Sequence, residues 1–193
     1  LLPPEMRTLQ VNMYNATAAP ITRASLALFP RSLTALHLAM RTINNPLFFH
    51  GVPPNLKTLI LGRLSNLQPE MLAPLYTSKL IRLELELSSE HKSCRPFLHH
   101  LPHKLIRLGI VADAEGDCLL PDLTNDDLKL LPRSLAWLYI ENQEQAPVTA
   151  ACLLDLPPHL HWAHPPTTLQ RIPLPDAFSG GLPANIVSEL GLY

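Results

Sequence analysis

Apolar residues recur along this chain in one spacing: an apolar residue and a proline, then apolar positions three, six and eight residues after that proline. The pattern reads LPPEMRTLQV from Leu2, FPRSLTALHL from Phe29, VPPNLKTLIL from Val52, LPHKLIRLGI from Leu101 and LPRSLAWLYI from Leu131. A copy without its proline starts at Tyr76 (YTSKLIRLEL), a worn one at Leu156 (LPPHLHWAHP), and a last one at Leu182 carries an extra residue. Starts at 2, 29, 52, 76, 101, 131, 156 and 182 give steps of 27, 23, 24, 25, 30, 25 and 26 residues. A period of roughly 20–29 residues marks a stacked repeat, one supersecondary unit per copy.

Within each copy the last two apolar residues alternate with polar ones, the period of a strand with one face buried. Parallel strands need a long return connection, and the segments between copies have that length. The sequence predicts short helical returns at Thr22–Leu28, Gln68–Leu75, Cys94–His100, Leu123–Leu130 and Thr149–Leu154, with Thr124 ahead of an acidic first turn as an N-cap would be. Proline cannot continue a helix and fixes φ, so each apolar-Pro pair is expected to end the return and start the extended entry to the next strand. No unit of this size buries its own apolar face, so stacking is expected to stabilise the array.

Composition agrees with a packed body. Hydrophobic residues make up 47% and charged residues 16%, a balance that opposes disorder. Proline (21) is high and glycine (7) low, as expected when proline punctuates a repeat. With 15 Lys+Arg against 16 Asp+Glu there is no basic footprint for nucleic acid. No stretch approaches the roughly 18 apolar residues of a spanning helix, so no membrane insertion is expected.

This organisation resembles the leucine-rich-repeat superfamily over nearly the whole chain. Between the second and third strands, Ile43-Asn44-Asn45-Pro46-Leu47 followed by VPPNLKTLILG from Val52 resembles the FNIP repeat, Ile43 standing for its Phe, Asn44 for its Asn and Pro46 for its Pro. The other returns are closer to ordinary leucine-rich repeats. The resemblance implies an α/β solenoid of about eight repeats, with a parallel concave sheet and a helical or irregular convex side. It covers 1–193 as a single array within a longer protein, weakest over 165–193. It implies a cytoplasmic protein–protein interaction module binding a partner through its concave face, and, because FNIP arrays often follow an F-box, substrate recognition in a ubiquitin ligase. The alternative is a structural or self-associating module pairing through uncapped ends. The pattern also resembles the repeats of bacterial effector ubiquitin ligases, but the steps here are longer and Cys152-Leu153-Leu154-Asp155 does not match their Cys-x-Asp site.

In this frame two columns of residues point out of the sheet. The first runs Thr8, Ala35, Thr58, Arg82, Arg107, Trp137, Trp162 and Glu189; the second runs Gln10, His37, Ile60, Glu84, Gly109, Tyr139, His164 and Gly191. Aromatic and arginine side chains dominate interface hot spots. The expected binding patch is therefore Trp137, Tyr139, Trp162 and His164, extended by Arg82, Arg107, Glu84 and His37. A one-residue slip of the seventh copy would instead turn Trp162 into the core.

Chemistry is sparse. Cys94, Cys118 and Cys152 have no C-x-x-C spacing and read as free thiols of a reducing compartment. His91, Cys94, His99, His100 and His103 crowd together, but their segment must also bury Phe97, Leu98 and Leu101, and a solvated convex face is preferred over a metal site. His159 and His161 share one side by alternation, with His164 opposite. The pairs Asp113/Glu115 and Asp126/Asp127 are explained by capping and solvation. No phosphate loop, nucleophile elbow or zinc-protease helix occurs. No catalytic residue, metal or cofactor is expected.

Overall fold

The computed structural model describes residues 2–166, apart from 14–20, 41, 44, 89, 113–121, 142 and 144. Among the described residues seven strands alternate with short returns: β1 (Thr8–Asn12), β2 (Ala35–Ala39), β3 (Thr58–Leu64), β4 (Arg82–Leu87), β5 (Arg107–Ala112), β6 (Trp137–Ile140) and β7 (His161–Ala163). They form one parallel sheet in sequence order, each strand pairing with the one before it. This is an α/β arrangement compatible with a solenoid-like fold. The copy at Leu182 lies outside the described residues, with Glu189 and Gly191.

The register explains the sequence spacing. Leu9, Leu36, Leu59, Leu83, Leu108, Leu138 and Trp162 align strand by strand. From Leu36 onward all of these are buried, as are Leu33, Leu56, Leu80, Leu105, Leu135 and Leu160, which precede the strands. Each buried leucine contributes about 1.5–3 kcal/mol of apolar transfer. β1, at the sheet edge, keeps Leu9 and Val11 only half-covered.

The prolines do more than end the returns. Their carbonyls accept the N–H of the apolar residue three positions on: Pro3 from Met6, Pro30 from Leu33, Pro53 from Leu56, Pro102 from Leu105, Pro132 from Leu135 and Pro157 from Leu160. In the copy that lacks proline, the Ser78 hydroxyl instead accepts from Leu80 N–H at 3.3 Å. One carbonyl then receives two N–H groups of the next copy: Arg7 from Thr34 and Ala35, Thr34 from Lys57 and Thr58, Lys57 from Ile81 and Arg82, Ile81 from Ile106 and Arg107, Ile106 from Ala136 and Trp137.

The predicted returns are present, shorter than drawn: α1 (Arg23–Ala27), η2 (Pro69–Leu75, a 3₁₀ helix), α2 (Arg95–Leu98), α3 (Asn125–Leu128) and η3 (Ala150–Leu154, also 3₁₀). A further 3₁₀ helix, η1 (Phe48–Gly51), closes the segment that resembles FNIP. Thr22 and Ser25 form a reciprocal cap on α1. On α3 the Thr124 amide and hydroxyl both donate to Asp127 Oδ2, at 2.8 and 2.6 Å. Arg95 Nε reaches the same oxygen at 2.9 Å, tying α2 to α3. Burial pushes the Asp127 carboxyl up, but the Thr124 hydrogen bonds and Arg95 outweigh it and hold the group below its ordinary value. The Asn66 side chain clasps the Ile43 backbone, accepting from its N–H at 2.8 Å and donating to its carbonyl at 2.7 Å. Such pairing satisfies polar groups that half-burial would otherwise leave costly.

Candidate functional site

Opposite the leucine ladder the sheet presents an open face. Its first column is Thr8, Ala35, Thr58, Arg82, Arg107, Trp137 and His161; its second is Gln10, His37, Ile60, Glu84, Gly109, Tyr139 and Ala163. Through β6 these are the expected columns. At β7 they are not: Trp162 pairs with Leu138 and is 3% exposed, so it belongs to the core and is removed from the binding patch. The cause is one missing residue. Two residues separate Leu135 from the inward Leu138, whereas His161 alone separates Leu160 from Trp162, and Ala136 carbonyl accepts from the His161 N–H. The shortened link lets the largest apolar side chain of the segment face inward, which buries more area than Ala163 would. The indole N–H of Trp162 has no partner among the described residues.

His164 is displaced from its expected place as well. It follows β7 with φ 63°, in the left-handed region, which ends the strand's alternation. It nonetheless returns to the patch, its ring 5.6 Å from that of Tyr139 in an edge-on contact. Tyr139 lies 6.3 Å from Trp137, and Arg107 sets its guanidinium carbon 4.9 Å from the Trp137 ring centre. The structure therefore gathers Arg107, Trp137, Tyr139 and His164, and puts His161 where Trp162 was expected. His161 was legible only by counting from Leu160 rather than from Pro157.

Next to this group Arg82 grips Glu84 with Nε at 2.8 Å and Nη2 at 2.6 Å from one carboxylate oxygen. Glu84 in turn leans over Gly109, where an added Cβ would come within 3.2 Å of its Cγ. A bulge in β3 puts Arg63, at φ 57°, 3.3 Å from Glu86. His37, on β2, is four strand steps from Trp137, about 19 Å at the usual spacing. It is not part of the patch.

On the return side, Cys94 and Cys152 are fully buried. Burial, with Asp122 near Cys94 and Asp155 near Cys152, pushes both thiols up to about 12, so neither is a ready thiolate. Cys118, Asp113 and Glu115 lie outside the described residues. His91 packs edge-on against Phe97 at 5.6 Å, and burial pulls it below its ordinary value. His103 Nδ1 is 2.8 Å from the Tyr76 carbonyl. Among the described residues no group of three or more His, Cys, Asp or Glu side chains is arranged to hold a metal ion. A groove of about 990 Å³ between η1 and η2 is lined by Ile43, Pro46, Leu47, Met71 and Pro74, among others. A smaller one of about 420 Å³ includes Glu70, Arg95, His99, His100, Asp122 and Asp127.

Among the described residues no helix is long and apolar enough to cross a membrane. Compared with known protein families, curated proteins and solved structures, the chain matches none.

Proposed function

We propose that this chain is a protein-interaction module of the leucine-rich-repeat type that binds a partner protein across the open face of its sheet. The observation that carries this reading is the group Arg107, Trp137, Tyr139 and His164, aromatic rings and a cation side by side on a face formed by strands. Such residues supply most of the energy of known interfaces. A rigid sheet also lowers the entropic cost of presenting them. The FNIP-like segment extends the proposal to substrate recognition in a cytoplasmic ubiquitin ligase.

The test is affinity capture from host-cell extract with the wild-type chain and with Trp137→Ala/Tyr139→Ala, after circular dichroism shows that both fold alike. Loss of a specific protein, with Trp137→Ala alone weakening it by about 2 kcal/mol or more, is the expected result. An unchanged partner set defeats the reading. The second reading is a structural or self-associating module without a dedicated ligand. Light scattering over a concentration series separates the two, since only self-association produces a dimer of the isolated chain.

A further inference from the structure

The open face carries charge unevenly. Three arginines stand on the strands, and two are neutralised in place, Arg82 by Glu84 and Arg63 by Glu86. Glu141 is also engaged, its Oε2 accepting the Ala112 N–H at 2.6 Å. Arg107 is exposed, and among the described residues its guanidinium has no ion pair and no hydrogen bond; it lies over the Trp137 ring, and its register neighbour on β4, Arg82, is itself held by Glu84. A guanidinium set over an aromatic ring keeps its N–H donors for a planar anion. Tyr139 and His164 continue the ring surface beside it.

We propose that the partner recognised here is an acidic protein segment, with an Asp or Glu carboxylate on Arg107 and an adjacent apolar or aromatic side chain against Trp137 and Tyr139. This rests on the open-face reading above and adds the charge of the partner. Arg107 supplies the complementarity: a basic segment would meet an unpaired cation, and a neutral one would leave it unanswered. The proximity of Trp137 argues for an apolar neighbour to the carboxylate, because the ring offers area and the guanidinium offers direction.

Three labelled peptides, acetylated and amidated, test this by fluorescence anisotropy: Glu-Asp-Phe-Asp-Glu, Gln-Asn-Phe-Asn-Gln and Lys-Lys-Phe-Lys-Lys. The acidic peptide is expected to bind the wild-type chain with a Kd of about 1 mM or tighter, at least about tenfold tighter than the other two. Arg107→Ala should reduce it to the level of the neutral peptide, and Arg107→Glu should reverse the order in favour of the basic one. Arg107 is exposed, so both variants keep the core, which circular dichroism checks. Failure of the acidic peptide to bind, equal binding of the three, or an order unchanged by Arg107→Glu overturns the acidic-partner inference. If the neutral peptide still binds and Trp137→Ala abolishes it, the open-face reading survives that loss. If peptides bind and neither Trp137→Ala nor Arg107→Glu alters them, both fall.

Discussion

Trp137 and Trp162 stand on neighbouring strands, yet one lies on the open face and the other in the core. β6 follows Leu135 after one residue, so Trp137 points out and Leu138 in; β7 begins directly after Leu160, so His161 points out and Trp162 in. A strand has a side-chain period of two, and one residue more or fewer before it exchanges its faces. The same residue type therefore stands on the open face in one copy and in the core in the next, decided by the count from the last buried leucine.

That contrast can be broken most forcefully by truncating both rings in turn. Trp162→Ala should cost about 3–5 kcal/mol, while Trp137→Ala should change stability by less than about 1 kcal/mol, both read from urea unfolding. Equal losses would abolish the distinction. Trp162→Leu, which installs the residue used at this rung elsewhere, should cost about 1–3 kcal/mol, between wild type and alanine. The core side also carries a pH signature through His91. Its folded value lies below its ordinary 6.5, so the unfolded chain takes the proton first as pH falls. The contribution is whole above that ordinary value and shrinks below it. Between about pH 7.5 and about pH 5.5 the wild type should lose more stability than His91→Phe; parallel losses would remove His91 from the account. The smallest effect concerns the outer ring alone. Arg107→Ala should cost about 0.5–1 kcal/mol or less, and nothing further in a Trp137→Ala background, by double-mutant cycle.

Much of the fold was legible because leucine spacing states it directly. Two apolar positions in alternation fixed the inward face of β2 to β6, and Thr124 ahead of its acidic turn marked where the return at α3 begins. At β7 the frame counted from Pro157 turns Trp162 outward and the one-residue slip turns it inward; the spacing leaves both open because Trp162 and Ala163 are both apolar, and the structure takes the slip. The bulge at Arg63 and the helix η1 were not foreseen, since neither interrupts the apolar spacing. Of the expected patch, Trp137, Tyr139, Arg82, Glu84 and Arg107 fall on the open face, and His37 shares the face without joining the group. The placement of Arg107 over Trp137 is a side-chain event between copies, and no pattern within one copy encodes it.

The strict neighbour order of the sheet has a dynamic consequence. Each strand is bonded only to those adjacent in sequence, so opening one at either side of the sheet leaves the remaining pairings intact. Amide protection should then be graded, deepest in β3 and β4, whose inward residues are buried and which have strands on both sides, and shallowest in β1, where Leu9 and Val11 are half-covered. Trp137 and Arg107 sit toward the β7 side of that gradient, so a ligand bridging them would slow exchange across β5 and β6 first and would stiffen the sheet from one flank inward.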